Sequence, residues 1–268
     1  KNTNIHVIPL HVILGDKTEF LDTPENIKKY DVFTRVSNKE EITTSMASPG
    51  ELEVKYDEML KKYDHILHIT ITPNLSGMKD VALMVTQDEK YTGKVTVIDH
   101  FTAANGIKYL ALKMDEMIKS GITDLEEFKK IADVASDKIF LGLIPGDIKK
   151  LHRGGRGKGA LISLLKFVKT KFLIRWGEKP KNIGISRTLK GIIEKTMTAG
   201  HKMSGDDADI ILVSTIQTDP AYIELAKKEI QQRGFTYTQE NIPSIYGCHA
   251  GTETLGVIMI PNEIKKSN

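Results

Sequence analysis

Apolar residues along this chain follow two rhythms. Short runs rich in β-branched and aliphatic residues occur at 65–71 (HILHITI), 94–98 (KVTVI), 139–144 (IFLGLI) and 209–215 (DIILVST). Bounded as they are by polar and turn residues, they read as buried strands. Between them the apolar positions open out to a helical period. From Ala104 they recur at Ile107, Leu110, Ala111, Met114, Met117 and Ile118, a stripe that stops near Gly121. Ser48-Pro49-Gly50-Glu51 is a capping box with proline at the first helical position, and it predicts a helix to about Tyr63. Thr123 with Glu126 repeats the capping pattern, and Asp219-Pro220 opens a helix to about Arg233. The alternation of strand and helix predicts α/β architecture with a largely parallel sheet.

The pattern changes after about residue 136. Segments 172–176 and 181–186 flank a Gly177-Glu178-Lys179-Pro180 turn and read as an antiparallel hairpin. A purely parallel domain would not contain one. The expected organisation is therefore two domains: 1–135, a three-layer α/β/α unit with a parallel sheet, and 136–268, an α/β unit with a mixed sheet.

The chain has 268 residues, 40% of them hydrophobic and 27% charged, which is enough to bury a sizeable core. Its longest apolar runs fall far short of the ~18 residues of a membrane span, so no stable membrane insertion is expected. A net charge of +3 spread over this length does not point to a nucleic-acid partner. The one cysteine, Cys248, excludes an internal disulfide and a multi-cysteine metal site. With no secretory pattern at the start, a cytoplasmic setting is expected.

Candidate chemistry gathers in four loops. Thr72-Pro73-Asn74-Leu75-Ser76-Gly77 follows a strand and precedes a helix over 78–89, so Ser76 and the nearby N–H groups face the strand-end crevice where α/β proteins hold ligands. Ser76 reads equally as a helix cap. The stretch 41–48 reads as a hydroxyl-rich loop in which the cap explains Ser48 but not Thr44 or Ser45. Tyr246 to Thr252 reads as a glycine-bracketed turn carrying His249; if it is extended, Cys248 and His249 point to opposite faces. Leu151 to Gly159 imitates a phosphate loop, but Lys158 is followed by Gly159 and no hydroxyl is present to hold magnesium. It could serve as an anion nest around Arg156 or as a solvated turn. His65 and His68 would face opposite sides of a strand, and H-E-x-x-H, G-x-S-x-G and G-x-G-x-x-G are all missing from the sequence. Hydroxyls, glycines and one histidine without a clear base–nucleophile pair describe a site built to bind.

Thr43-Thr44-Ser45-x-x-Ser48-Pro49-Gly50-Glu51 resembles the T-T-S-x-P-S-P-G-E motif of DegV-family proteins. Leu75-Ser76-Gly77, the strand end Val97-Ile98-Asp99, Leu151-x-x-Gly154-Gly155-Arg156 and Gly247-x-His249-x-Gly251 follow in the family's order. The resemblance implies a two-domain α/β protein that binds one long-chain fatty acid between its domains. It further implies a non-catalytic carrier that presents the fatty acid carboxylate to a separate kinase subunit and needs no cofactor. By motif position the carboxylate ligands are Thr44, Ser45, Ser76, Gly77 and His249. Arg187, matching the family's R-T-R segment, and Arg156 would face the partner or an anion.

The departures are specific. H-T-G-P-G becomes His249-Ala250-Gly251-Thr252-Glu253, Leu189 stands at the second arginine of R-T-R, Pro73 and Asn74 replace Ser-Gly, and Phe172 replaces a proline. The family's opening strand and D-S-T-x-D-L-P loop have no counterpart, so the natural chain is expected to begin upstream. An orphan lipid-binding protein without a kinase partner is the nearest alternative. A Ser76/His249 hydrolase or transferase and an RNA-binding role through 153–158 rank below it.

Overall fold

The structure, a computed structural model, describes residues 4–153 and 170–265. The chain begins with β1 (His11–Ile13), β2 (Glu19–Leu21), α1 (Pro24–Lys29), α2 (Val32–Ser37) and β3 (Thr43–Ser45). It continues through α3 (Pro49–Leu60), β4 (Ile66–Ile69), α4 (Met78–Val85), β5 (Val95–Ile98), α5 (Asn105–Lys119) and α6 (Leu125–Lys138). Then come β6 (Phe140–Ile144), α7 (Ile148–Arg153), β7 (Lys171–Trp176), β8 (Lys181–Ser186) and α8 (Leu189–Ser204). The last elements are β9 (Asp209–Ser214), α9 (Pro220–Gln231), β10 (Thr238–Asn241), α10 (Ser244–Ala250) and β11 (Leu255–Ile260).

Among the described residues the strands form three sheets, ordered β2-β1-β3, β4-β5 and β10-β9-β11-β6-β7-β8. The β4–β5 pair is parallel, with Ile66 opposite Val95 and Ile69 opposite Ile98. The six-stranded sheet is mixed: β10 and β9 are parallel, and its remaining pairs are antiparallel. The α/β class, the parallel and mixed sheets, and the 172–186 hairpin are as the sequence patterning predicts. The three-stranded antiparallel sheet was not anticipated, and it corrects one reading: Thr44 and Ser45 lie on a strand paired with β1, not in a loop. Strands this short leave little alternation from which to detect them.

In the six-stranded sheet the strands β6, β7, β9 and β11 read as apolar runs because both faces of the sheet are buried there. Side chains alternate between two cores. Leu141, Leu143, Ile174, Ile211 and Ile258 join the α5 and α6 residues Leu110, Met114, Phe128 and Ala132. Phe140, Leu173, Leu212, Val257 and Met259 pack on the α8 and α9 residues Ile192, Met197, Ala226 and Ile230. Helix α8 escaped the sequence reading although its buried positions keep a helical period.

The caps explain where several helices start. Ser48 accepts from the Glu51 N–H, and the Glu51 carboxylate accepts from the Ser48 N–H at 2.7 Å, so the predicted capping box is formed. At α6 the cap shifts by one residue from expectation. The Asp124 carboxylate accepts from the Glu126 N–H at 3.0 Å, placing a formal charge at the positive end of the helix.

Candidate functional site

Residues far apart in sequence meet in a cavity lined from both halves of the chain. Its empty volume, including the open mouth, is about 530 Å³, within the ~300–1,000 Å³ range of small-molecule sites. One wall is built by β3 and the loop ahead of α4, the other by β6, β7, α7 and α10. No Lys, Arg, Asp or Glu stands among the described residues that line it.

On the first wall, β3 pairs with β1 so that Thr44 lies opposite Val12 and Ser45 opposite His11. Thr44 is half-buried between the exposed Thr43 and Ser45, as the pleat requires. The His11 ring is in turn held between Glu19 at 2.8 Å and Glu51 at 2.9 Å. Those contacts tie β1 to β2 and to the first turn of α3. Ser76 sits one residue before Gly77, the N-cap of α4, and its hydroxyl accepts from the Met78 N–H at 3.2 Å. Its hydroxyl therefore bonds the first N–H of the helix while the residue lines the cavity.

On the second wall, the predicted turn from Tyr246 to Thr252 is instead a helix, α10, ending at Gly251. Gly251 has φ +91°, a conformation glycine adopts without steric penalty. Gly247 has a different task, since a Cβ there would lie 2.9 Å from the Phe33 ring of α2. The helix sends Cys248 into the core with Val12, Leu14 and Ile27 and leaves His249 at the cavity. Burial pushes the Cys248 thiol up to about 12, so it offers no thiolate nucleophile at neutral pH.

Across the cavity, His249 Nε2 meets Thr44 Oγ1 at 2.8 Å. Four of the predicted head-group residues, Thr44, Ser45, Ser76 and His249, thus line one space. Gly77 adjoins it as the exposed N-cap of α4. Arg187 is exposed at the turn between β8 and α8 and does not line the cavity. Arg156 and the rest of the glycine-rich loop lie outside the described residues, which end at Arg153 on this side.

The apolar lining went unrecognised in the sequence as a site. Leu143 and Trp176 are 0% and 3% exposed, and with Ile71, Leu75, Ile245 and Tyr246 they make the floor and flanks. Leu143, Trp176, Ile245 and Tyr246 belong to ordinary strand or helix stripes, so nothing local separates them from core. Tyr246 also accepts from the Ala104 N–H through its hydroxyl at 2.7 Å, locking α10 to the start of α5.

The separated histidines behave as the strand alternation predicts. His65 meets Thr96 Oγ1 at 2.9 Å, while His68 meets the Tyr56 hydroxyl at 2.6 Å. Burial holds His68 down at about 4. Among the described residues no three His, Cys, Asp or Glu side chains could hold a metal together. None of the described helices is long and apolar enough to cross a membrane.

The scaffold is α/β, with an apolar cleft lined from both halves of the chain and closed at one end by hydrogen-bonding groups. The chain belongs to the DegV family: the profile of the family described as "Uncharacterised protein, DegV family" matches residues 1–262. A DegV domain-containing protein of Staphylococcus aureus is 29% identical over 229 residues, covering 85% of this chain and 70% of its own length. Another, from Caldanaerobacter subterraneus, is 29% identical over 264 residues, covering 96% and 91%. Among solved structures, a fatty-acid-binding DegV family protein from Thermus thermophilus superposes with a TM-score of 0.82 at 24% identity, over 94% of this chain and 90% of that one. A stearic acid-binding protein from Eubacterium ventriosum gives 0.81 at 18% identity, over 95% and 90%. These structures share the fold, and their described ligands are fatty acids.

Proposed function

We propose that this chain is a carrier that holds one long-chain fatty acid between two domains, 1–135 and 136–268. Thr44, Ser45, Ser76, Gly77 and His249 take the carboxylate and the apolar floor takes the tail. The observation that carries this reading is the Thr44–His249 contact, which closes the polar end of an otherwise apolar cavity. A buried methylene contributes ~0.8 kcal/mol, so a long tail contributes on the order of 10 kcal/mol gross. That gain survives only if the carboxylate is hydrogen-bonded. Two hydroxyls, an imidazole and the N–H groups opening α4 supply donors without a fixed charge.

The polar end is partly open, with Ser45 and Gly77 exposed. That supports a role in which the carboxylate is offered to a separate kinase subunit and the carrier itself performs no chemistry. Arg187 and Arg156 are then candidates for the partner-facing or anion-binding surface. The bonds of the site favour binding over nucleophilic attack: His249 Nε2 is engaged by Thr44, and the Ser76 hydroxyl accepts a backbone N–H.

Solvent extraction of the denatured protein followed by mass spectrometry tests the proposal. A stoichiometric fatty acid is expected. An empty extract, from protein that also fails to take up added fatty acid, overturns the reading. For the kinase step, Arg187→Ala is expected to lower acyl phosphate formation with the partner present while leaving the extracted lipid unchanged.

A further inference from the structure

One residue of the cavity floor carries a polar group that the protein itself leaves unused. Trp176, the only tryptophan in the chain, ends β7 and lines the cavity. It is 3% exposed, and its indole N–H is buried without a hydrogen-bond partner. Buried tryptophan N–H groups usually find an acceptor, and an orphaned donor in a low-dielectric wall is costly. A purely structural tryptophan at this position would do as well as phenylalanine, which fills similar space with no donor to satisfy.

A second orphan belongs to the same region. The Thr72 hydroxyl, 1% exposed, is also buried without a partner. Thr72 follows the lining residue Ile71, and the Asn74 side-chain amide donates to the Gly177 carbonyl at 3.1 Å. That bond fastens the 72–76 loop, on one side of the cavity, to the residue after Trp176, on the other. A saturated tail offers the indole no acceptor. A hydroxyl or oxo oxygen on the tail has the chemistry to accept from the indole.

We propose that Trp176 is a specificity-determining residue, and that the preferred ligand class is a long-chain fatty acid carrying an oxygen, as a hydroxyl or oxo group, along its chain. This rests on the fatty acid reading above, and the two fail differently. The rival occupant of the indole N–H is a water molecule, which would satisfy it without regard to the acyl chain.

The single tryptophan makes the test direct. Binding of stearate and of a set of positional hydroxystearate isomers is measured by competition on the wild-type protein, with the lone indole ¹H–¹⁵N resonance followed in parallel. At least one isomer is expected to bind roughly tenfold tighter than stearate and to move the indole proton downfield relative to the stearate complex. In Trp176→Phe the ratio of hydroxystearate to stearate affinity is expected to collapse to near parity, whatever the change in stearate affinity itself. Equal wild-type affinity for stearate and every isomer, or an indole resonance that is the same in all complexes, overturns the proposal even if Trp176→Phe does not fold. Binding of neither class overturns the fatty acid reading instead.

Discussion

The cavity wall made by β3 and the loop ahead of α4 carries hydroxyls and stands partly in solvent, whereas the wall made by β6, β7 and α10 is apolar and, but for His249, buried. The first is held by caps, short strands and polar contacts: the Ser48 capping box, the His11 bridge between Glu19 and Glu51, and the Ser76 bond to Met78. The second is one face of a six-stranded sheet whose residues belong to the main core. One wall is therefore suited to orienting a head group, and the other to gaining free energy from burial. Alterations to the two should separate affinity from stability.

The largest effect is expected on the buried wall. Leu143→Ala removes a fully buried side chain from β6 and should cost about 3 kcal/mol of unfolding free energy, read as a lower denaturant midpoint. An unchanged midpoint would mean that the floor is not part of the core. Next comes pH. His68 is neutral in the fold because burial holds it at about 4, below its ordinary 6.5. The unfolded chain therefore takes up the proton first, and stability falls as pH drops from about 6.5 towards 4, by about 1–2 kcal/mol between pH 7 and pH 5. Chemical denaturation at the two values should show this loss, and His68→Gln should flatten it.

On the polar wall the sign of the comparison reverses. Thr44→Val keeps the shape of β3 but deletes the hydroxyl facing His249. It should weaken fatty acid binding about tenfold, equivalent to about 1.4 kcal/mol, with little change in melting temperature. A large fall in melting temperature with unaltered affinity would break the division of labour drawn above. The smallest effect is expected at Ser48→Ala, which removes the α3 cap outside the cavity. It should cost about 1 kcal/mol of stability and leave the affinity measured by calorimetry unaltered.

Much of the scaffold was legible because it is coded locally. The capping box at Ser48, the stripe of α5, the hairpin around Lys179 and the apolar runs of β6 and β9 each state their element within a few residues. The readings that needed correction were those in which a distant partner outweighs local composition. The segment 246–252 looks like a turn, with glycine at 247 and 251, yet it is helical through Ala250 because packing on α2 and α7 holds it so. Thr44 and Ser45 look like loop residues, yet they pair with a strand that is itself only three residues long.

The site divides in the same way. Thr44, Ser76 and His249 could be marked as candidate ligands from their motifs, but Leu143 and Trp176 could not be marked as cavity residues, because a strand residue that lines a cavity has the same periodicity as one that fills a core. The sequence by itself determined which residues of the main strands turn inward, where α3 and α9 start, and that an α/β chain with parallel and mixed sheets would result. Only the tertiary structure decided that Thr44 would meet His249 across 205 residues of chain and that the indole of Trp176 would be buried without an acceptor. Periodicity specifies which face of an element leaves water, and the neighbour that face meets is settled only when the elements pack together.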